Sequence, residues 1–413
     1  MLANNSFGDL LTTLLDRRAF GRRVKDGRAL REICEALLSE TAEASGRQMA
    51  VTILDRYQKL DDDQKIAFFE YLNEDLDVDA AKIAELAKAY GDDPSPENFR
   101  ALSLASDPKR QKLFRRLNEA PGATAEIVRL RTDLMKLQKD RPEFARTNFD
   151  LAHLLRSWFN RGFLVMRQIN WDSPASILEK IIAYEAVHEI ATWADLRRRM
   201  EPSDRRCFAF FHPSMPDEPL IFVEVALTRG IPDSIQTVLS ENREAIGEEE
   251  ASTAVFYSIS NCQKGLAGVS FGNSLIKQVA RDLSAELPNI KTFVTLSPIP
   301  GLMRWIEDQG IPKKGDGPLH MERLAAKYLL EAKADDGLPS DPVARFHLGN
   351  GALVHAVHSD ADVSEAGLAR SSGVMVNYLY DLSRIAQNTI QFSKHKKIAA
   401  TSPVRNQAKR AAS

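Results

Sequence analysis

The sequence predicts a multidomain α and α+β chain: an N-terminal all-helical bundle, then a mixed β-sheet domain with flanking helices. Three observations carry that expectation. Apolar residues recur near a 3.6-residue period through residues 1–160, and no convincing strand interrupts them. Past that point, short apolar runs rich in β-branched and aromatic residues alternate with helical patterns and with proline and glycine. A length of 413 residues fits two or three domains at roughly 100–200 residues each. The expected divisions are 1–160 for the bundle, 161–392 for the sheet domain and 393–413 for a basic tail without structure.

Taken in order, residues 1–32 carry Arg17, Arg18, Arg22 and Arg23 on an amphipathic pattern. Asp9, Asp16 and Asp26 intervene, so the segment reads as a surface helix rather than an acid-poor presequence. Helices follow over 48–60, 64–76 and 80–90, with Ile53 and Leu54, Phe68 and Phe69, and Ile83 and Leu86 on their apolar faces. Asp79 stands where its carboxylate can cap the third. Residues 92–96 read as a turn and 116–122 as a helix stop. A helix over 124–139 aligns Ile127, Leu130, Leu134 and Leu137, and another spans 144–159. In the second part, strands are expected at 162–169, 206–211, 220–227, 253–260, 292–296 and 346–355. Helices are expected at 174–183, 273–287 and 321–333. The tail after about residue 392 is basic and has no apolar face.

Bulk properties exclude several classes. A net charge of −2 offers no global attraction to nucleic acid. Three scattered cysteines, Cys34, Cys207 and Cys262, do not make a disulfide framework and fit a reducing compartment, so a cytoplasmic protein is expected. No Cys-x-x-Cys pair exists, and no metal site is expected. His355 and His358 share a strand, where that spacing turns them to opposite faces. The apolar runs are strand-sized, far short of the roughly 18–20 residues that cross a bilayer, so no membrane partner is expected.

The strongest local signal is a strand, a loop and a helix. Val255–Ser260 runs into Asn261-Cys262-Gln263-Lys264-Gly265-Leu266-Ala267-Gly268-Val269, and a helical pattern starts near Asn273. Glycines at 265 and 268 let backbone amides gather around an anion at a helix N-terminus. The same residues also suit an ordinary tight turn, and the pattern alone does not choose. The loop resembles the pyrophosphate loop of GNAT acyltransferases. Gln263 and Gly268 fall on that pattern, whereas Leu266 stands where a first glycine belongs and Gly265 precedes it.

Further segments widen the likeness. Thr295-Leu296-Ser297-Pro298-Ile299-Pro300-Gly301 and Phe346-His347-Leu348-Gly349-Asn350-Gly351-Ala352, taken with Tyr257-Ser258-Ile259-Ser260 and the glycine loop, resemble the malonyl-CoA decarboxylases. So do Arg116-Leu117-Asn118 with Ala120-Pro121-Gly122, Phe211-His212 with Met215-Pro216, and Ser372-Gly373 with Asn377-Tyr378. The likeness runs from the helical part to about residue 385. This chain departs from animal members at Ser270, where they carry a glutamate.

The resemblance implies a GNAT-like sheet domain that decarboxylates malonyl-CoA to acetyl-CoA and CO2. It implies no cofactor, coenzyme A being part of the substrate, and a homodimer or homotetramer. It makes Ser297 and His347 a catalytic dyad. By themselves, a serine before proline is a turn former and His347 a satisfied strand histidine. Tyr378 is either an acid near the acyl sulfur, as in many GNAT enzymes, or a core tyrosine in an aromatic helix with Tyr380. His212 suits a pocket wall or a surface turn equally. Ser258, Ile259, Ser260, Gln263, Lys264, Gly265, Leu266, Ala267 and Gly268 are the expected coenzyme A contacts. Two rivals stay open: an acyltransferase with an acceptor channel, and a non-catalytic acyl-CoA sensor.

Overall fold

A computed structural model describes residues 26–269, 275–312 and 318–411. The surface helix expected in the first 32 residues, the helix start near Asn273, and Ser270 lie wholly or largely outside them. The chain forms two compact units.

The first unit takes the residues up to Leu164 together with His212–Pro216 and Gln263–Ser270. The expected division at residue 160 therefore moves slightly, and two segments expected in the sheet domain join the helices. Its eight described helices are α1 (Leu30–Ser39), α2 (Glu43–Tyr57), α3 (Asp62–Glu74), α4 (Ala80–Asp92), α5 (Pro96–Ala105), α6 (Lys109–Asn118), α7 (Ala123–Leu137) and α8 (Ala145–Trp158). Local chemistry sets their ends. Asp61 accepts from the Gln64 amide while Gln64 reaches back to the Asp61 amide. Asp79 accepts from the Lys82 amide, as its position suggests. Gly122 adopts φ +76° before α7, a conformation that glycine enters without strain. On α7, Ile127, Leu130 and Leu134 are buried, the stripe that the period predicts. The ring of His212 lies 4.9 Å from that of Phe159, and its Nε2 is 3.1 Å from the Trp158 carbonyl. His212 is thus a packed turn residue.

The second unit is built on β1 (Val165–Ile169), β2 (Arg205–Phe211), β3 (Ile221–Thr228), β4 (Thr253–Asn261), β5 (Thr292–Thr295), β6 (Ser297–Pro298), β7 (Leu353–His358) and β8 (Met375–Leu379). Sheet order is β1-β2-β3-β4-β5; β8 then pairs with both β5 and β6 along one edge and with β7 along the other. Among the described strand pairs, only β4 with β5 is parallel. Helices α9 (Ala175–Tyr184), α10 (Trp193–Met200), α11 (Ile235–Leu239), α12 (Leu275–Glu286), α13 (Leu302–Asp308), α14 (Pro318–Glu331), α15 (Pro342–Gly349), α16 (Glu365–Ser371), α17 (Ile385–His395) and α18 (Ser402–Arg410) flank it. Every residue of β2 is buried, and all of β3 up to Leu227. Strands covered on both faces read as continuous apolar runs, which is why these two stood out in the sequence.

Two features of β4 bear on the site. Its register with β3 slips between Glu224 and Val225, which pair with Ser258 and Phe256, so Tyr257 is the extra residue of a bulge. Its parallel pairing with β5 ends at Phe256, whose carbonyl accepts from the Leu296 amide at 3.1 Å. Beyond that point β4 runs on to Asn261 with no described strand on that edge.

Three expectations are corrected. Residues 346–355 are not one strand: α15 ends at Gly349 and β7 starts at Leu353. Asp341 caps α15 by accepting from the Ala344 amide, Pro342 fills its first position, and Gly351 at φ +87° turns the chain. Tyr378 lies on β8 and not on a helix. The tail is ordered through Ala411: Val354 donates to the Ala399 carbonyl, Thr401 donates to the Val354 carbonyl, and α18 packs on α14. Its helical period is amphipathic, with Val404 and Ala408 buried. No helix among the described residues is long and apolar enough to cross a membrane.

Candidate active site

Ser297 and His347 meet across 50 residues of sequence. Ser297 Oγ lies 3.3 Å from His347 Nε2, and it donates to Thr295 Oγ1 at 2.8 Å. Thr295 Oγ1 also accepts from the Tyr378 amide at 3.1 Å, and the Asn377 side chain donates to the Thr295 carbonyl at 2.9 Å. The serine is therefore held at the edge where β6 joins β8. Pro298 still pairs with Met375, so sheet pairing resumes past the strand expected at 292–296.

His347 lies in the last turn of α15 and is almost wholly buried. Its ring stacks on that of Tyr378, centroids 4.6 Å apart and 22° from parallel. Its Nδ1 is 2.8 Å from the Tyr380 hydroxyl. Tyr380 is buried and has one proton, and among the described residues the imidazole is the hydroxyl's hydrogen-bond partner. Donation from Tyr380 to Nδ1 satisfies both groups; the reverse leaves a buried hydroxyl proton with no acceptor. Burial pushes the imidazole down to about 3, so it is neutral. A neutral ring that accepts at Nδ1 carries its proton on Nε2, facing Ser297.

Asp341 ties the serine and histidine segments together. Besides capping α15, its carboxylate accepts from the Gly301 amide at 3.4 Å, at the far end of the Ser-Pro-Ile-Pro-Gly segment. Burial raises it to about 6, against the lowering effect of the Ala344, Gly301 and Val343 amides. Tyr378 had two readings, an acid near an acyl sulfur and a core tyrosine. Its hydroxyl is buried with no partner among the described residues, and burial, then Asp341, push it well up. Tyr380, Thr295 and Asp341 were not singled out from sequence. Asp341-Pro342 before an apolar run was the available signal.

The expected coenzyme A contacts fall into two groups. Ser258 and Ser260 turn their hydroxyls to the Glu185 carboxylate, Ser258 at 2.8 and 2.7 Å and Ser260 at 3.3 Å. Glu185 also accepts from the Val187 and His188 amides. These serines, and Ile259 between them, thus have backbone rather than hydroxyls to offer along the open edge of β4. Gln263–Gly268 forms a tight turn on the first unit. The Leu266, Ala267 and Val269 amides are held by the Gln263, Lys264 and Leu266 carbonyls. Gly265 is buried, and a Cβ there would lie 1.9 Å from the Val128 carbonyl oxygen, so this glycine permits close packing on α7.

The opposite face of the sheet carries a second polar group. Arg199 pairs with buried Glu224 at 3.2 Å and donates to the His188 and Glu189 carbonyls. Burial, then the Glu185 charge, raise Glu224 to about 7. A cavity of about 1280 Å³ adjoins this group, with Glu185, His188, Arg199, Gln236, Asp362 and Arg370 in its wall.

A mixed sheet with one parallel pair that parts halfway, and a Ser–His contact just past the end of the second of those strands, mark the second unit as a domain of mixed sheet and flanking helices. The chain joins it to an all-helical one. The model of the malonyl-CoA decarboxylase N-terminal domain matches residues 76–159, and that of the C-terminal domain matches 162–319 and 318–413. The solved malonyl-CoA decarboxylase of Rhodopseudomonas palustris is 45% identical, with a TM-score of 0.86 over 91% of this chain and 98% of that one. That of Agrobacterium vitis is 46% identical, with a TM-score of 0.87 over 92% and 99%. The mitochondrial malonyl-CoA decarboxylase of the goose Anser anser anser is 34% identical over 81% of this chain and 77% of its own length. The chain belongs to the malonyl-CoA decarboxylase family, a family of carboxy-lyases.

Proposed function

We propose that the chain converts malonyl-CoA to acetyl-CoA and CO2 through a thioester enolate, with Ser297 as proton donor and His347 as its partner. The observation that carries this reading is the ordered contact from Tyr380 through His347 to Ser297. In a malonyl thioester the carbonyl lies β to the carboxylate and accepts the electron pair of the breaking C–C bond. No biotin, pyridoxal phosphate or metal is needed. CO2 departs, and the enolate must be protonated at its α-carbon. Ser297 gives that proton and takes one from Nε2, while Tyr380 returns one to Nδ1; solvent restores the single proton consumed. Tyr378 enters as the wall that fixes the imidazole plane.

The unpaired edge of β4 beyond Phe256 offers backbone groups to the amides of the pantetheine arm, and the glycine loop offers a place for phosphate. Acetyl-CoA formation by the purified, metal-stripped protein is the test, beside Ser297→Ala and His347→Ala. Loss in both variants with intact folding supports the dyad, and full activity in Ser297→Ala sinks it.

The cavity on the Glu185 face favours one second reading, transfer of an acyl group to an acceptor lodged there. Coenzyme A release that depends on an added amine would establish it.

A further inference from the structure

We propose that Thr295 is a positioning residue of the decarboxylation, a second hydrogen-bond donor held ready for the Ser297 oxygen as that residue gives its proton to the substrate; this rests on the proton-donor reading of Ser297 above.

The sheet has a gap at this residue. Val294 pairs with Leu379 and Ser297 with Val376, so β5 and β6 keep one register against β8 and nothing is inserted. Thr295 and Leu296 nevertheless leave the ladder, and Leu296 turns its amide to the Phe256 carbonyl of β4. Side chains bridge the gap. The Tyr378 amide donates to Thr295 Oγ1 at 3.1 Å. The Asn377 side chain donates to the Thr295 carbonyl at 2.9 Å and to the Pro232 carbonyl at 3.3 Å. With its nitrogen so engaged, its oxygen accepts from His358 Nε2 at 2.5 Å. Thr295 and Asn377 are both fully buried. This brace fixes Thr295 Oγ1 2.8 Å from Ser297 Oγ.

Hydrogen counting gives the hydroxyl its role. At rest Ser297 and the Tyr378 amide both donate to Thr295 Oγ1 and fill its two lone pairs. The threonine's own hydrogen then has no acceptor among the described residues. A buried donor left unmet is costly, and a reaction that uses it is one reason to keep it. Reversing the single Ser297–Thr295 bond meets two needs. It releases the Ser297 hydrogen toward the α-carbon, and it turns the Thr295 hydrogen to the oxygen left behind. In that step the Ser297 O–H bond breaks and a C–H bond forms at the α-carbon. The O–H electron pair stays on Oγ until Nε2 hands over its proton. The negative charge gathering on Oγ meets two fixed donors, Nε2 at 3.3 Å and the Thr295 hydroxyl at 2.8 Å. Thr295 transfers no proton and acts through Ser297.

Thr295→Val keeps the shape and removes the hydroxyl. On the full chain with malonyl-CoA, kcat should fall about 10–100-fold with KM within about threefold. Thr295→Ser restores the donor and should keep kcat within about threefold of the unaltered chain. The solvent deuterium isotope effect on kcat should rise in Thr295→Val, because protonation has become slower; a merely loosened fold would leave it unmoved. Retained kcat, an unmoved isotope effect, or a Thr295→Ser variant as slow as Thr295→Val overturns the proposal. Adding Thr295→Val to Ser297→Ala should cause no further loss, and an additive loss overturns it as well. Full activity in Ser297→Ala sinks the proton-donor reading and this proposal with it. An inactive Ser297→Ala beside a fully active Thr295→Val sinks this proposal alone. If Thr295→Val does not fold, Thr295→Cys, whose thiol donates weakly, takes its place with the same outcomes.

Discussion

The Tyr380 hydroxyl stands 2.8 Å from His347 Nδ1, on the side of the ring away from Ser297. Removing it leaves that nitrogen buried and without its partner, and frees the proton to sit on either ring nitrogen. Tyr380→Phe should lower kcat by about 10–100-fold with KM little changed. Nitrogen-15 spectra of the labelled imidazole check the cause: the unaltered protein should show Nε2 protonated, and the variant a mixture. A pure Nε2–H form in an impaired variant would place the defect elsewhere.

The two buried titratable groups of the site make opposite contributions to stability against pH. Asp341 is raised from 3.8 to about 6, so the folded chain holds a proton in that window after the unfolded chain has released it. Its contribution therefore falls as pH rises from 3.8 to about 6 and is flat above. His347 is lowered from 6.5 to about 3, so its contribution is full above 6.5 and is lost as pH falls toward 3. Urea unfolding of Asp341→Asn and His347→Gln across this range should give difference curves of opposite slope. An asparagine in place of Asp341 can still cap α15, so that variant should lose little at neutral pH.

Gly265→Ala tests the seat of the loop on α7. The added carbon meets a backbone oxygen, that of Val128, which cannot rotate away. The cost should be about 2–4 kcal/mol in urea unfolding, with weaker coenzyme A binding in whatever folds. Gly268→Ala meets open space but must hold φ +76°, so it should cost only about 1 kcal/mol.

Removing residues from Lys397 onward strips the Ala399 and Thr401 backbone from Val354 and the α18 helix from α14. The free edge of β7 would then be open to pairing with other chains. The shortened protein should show a lower urea midpoint and concentration-dependent aggregation by light scattering.

How legible each element was in the sequence depends on where its signal is stored. β2, β3 and β4 were legible because burial on both faces writes itself as a continuous apolar run. Asp79 was legible because a cap is a local event. The helix carrying His347 was misread as strand: Phe346, Leu348, Ala352 and Val354 look like one apolar stretch, and the Asp341-Pro342 start signal precedes it. Ser297 and His347 came from likeness alone, since nothing local marks them. The contact of Tyr380 with His347 left no trace, because the two lie 33 residues apart. The tail misled through its charge, which outweighs a two-residue apolar seam, Val404 and Ala408.

Ser297, His347, Tyr378 and Tyr380 all lie on one face of the sheet, while Tyr257, Val294, Leu296 and Met375 pack together on the other. On the proposed reaction, a planar enolate held beside Ser297 would present one prochiral side to that hydroxyl. A malonyl thioester bearing deuterium and tritium at the methylene of defined configuration should yield acetate whose methyl group is chiral and of a single handedness. The asymmetry of the protein would be written into a carbon that ordinarily shows none.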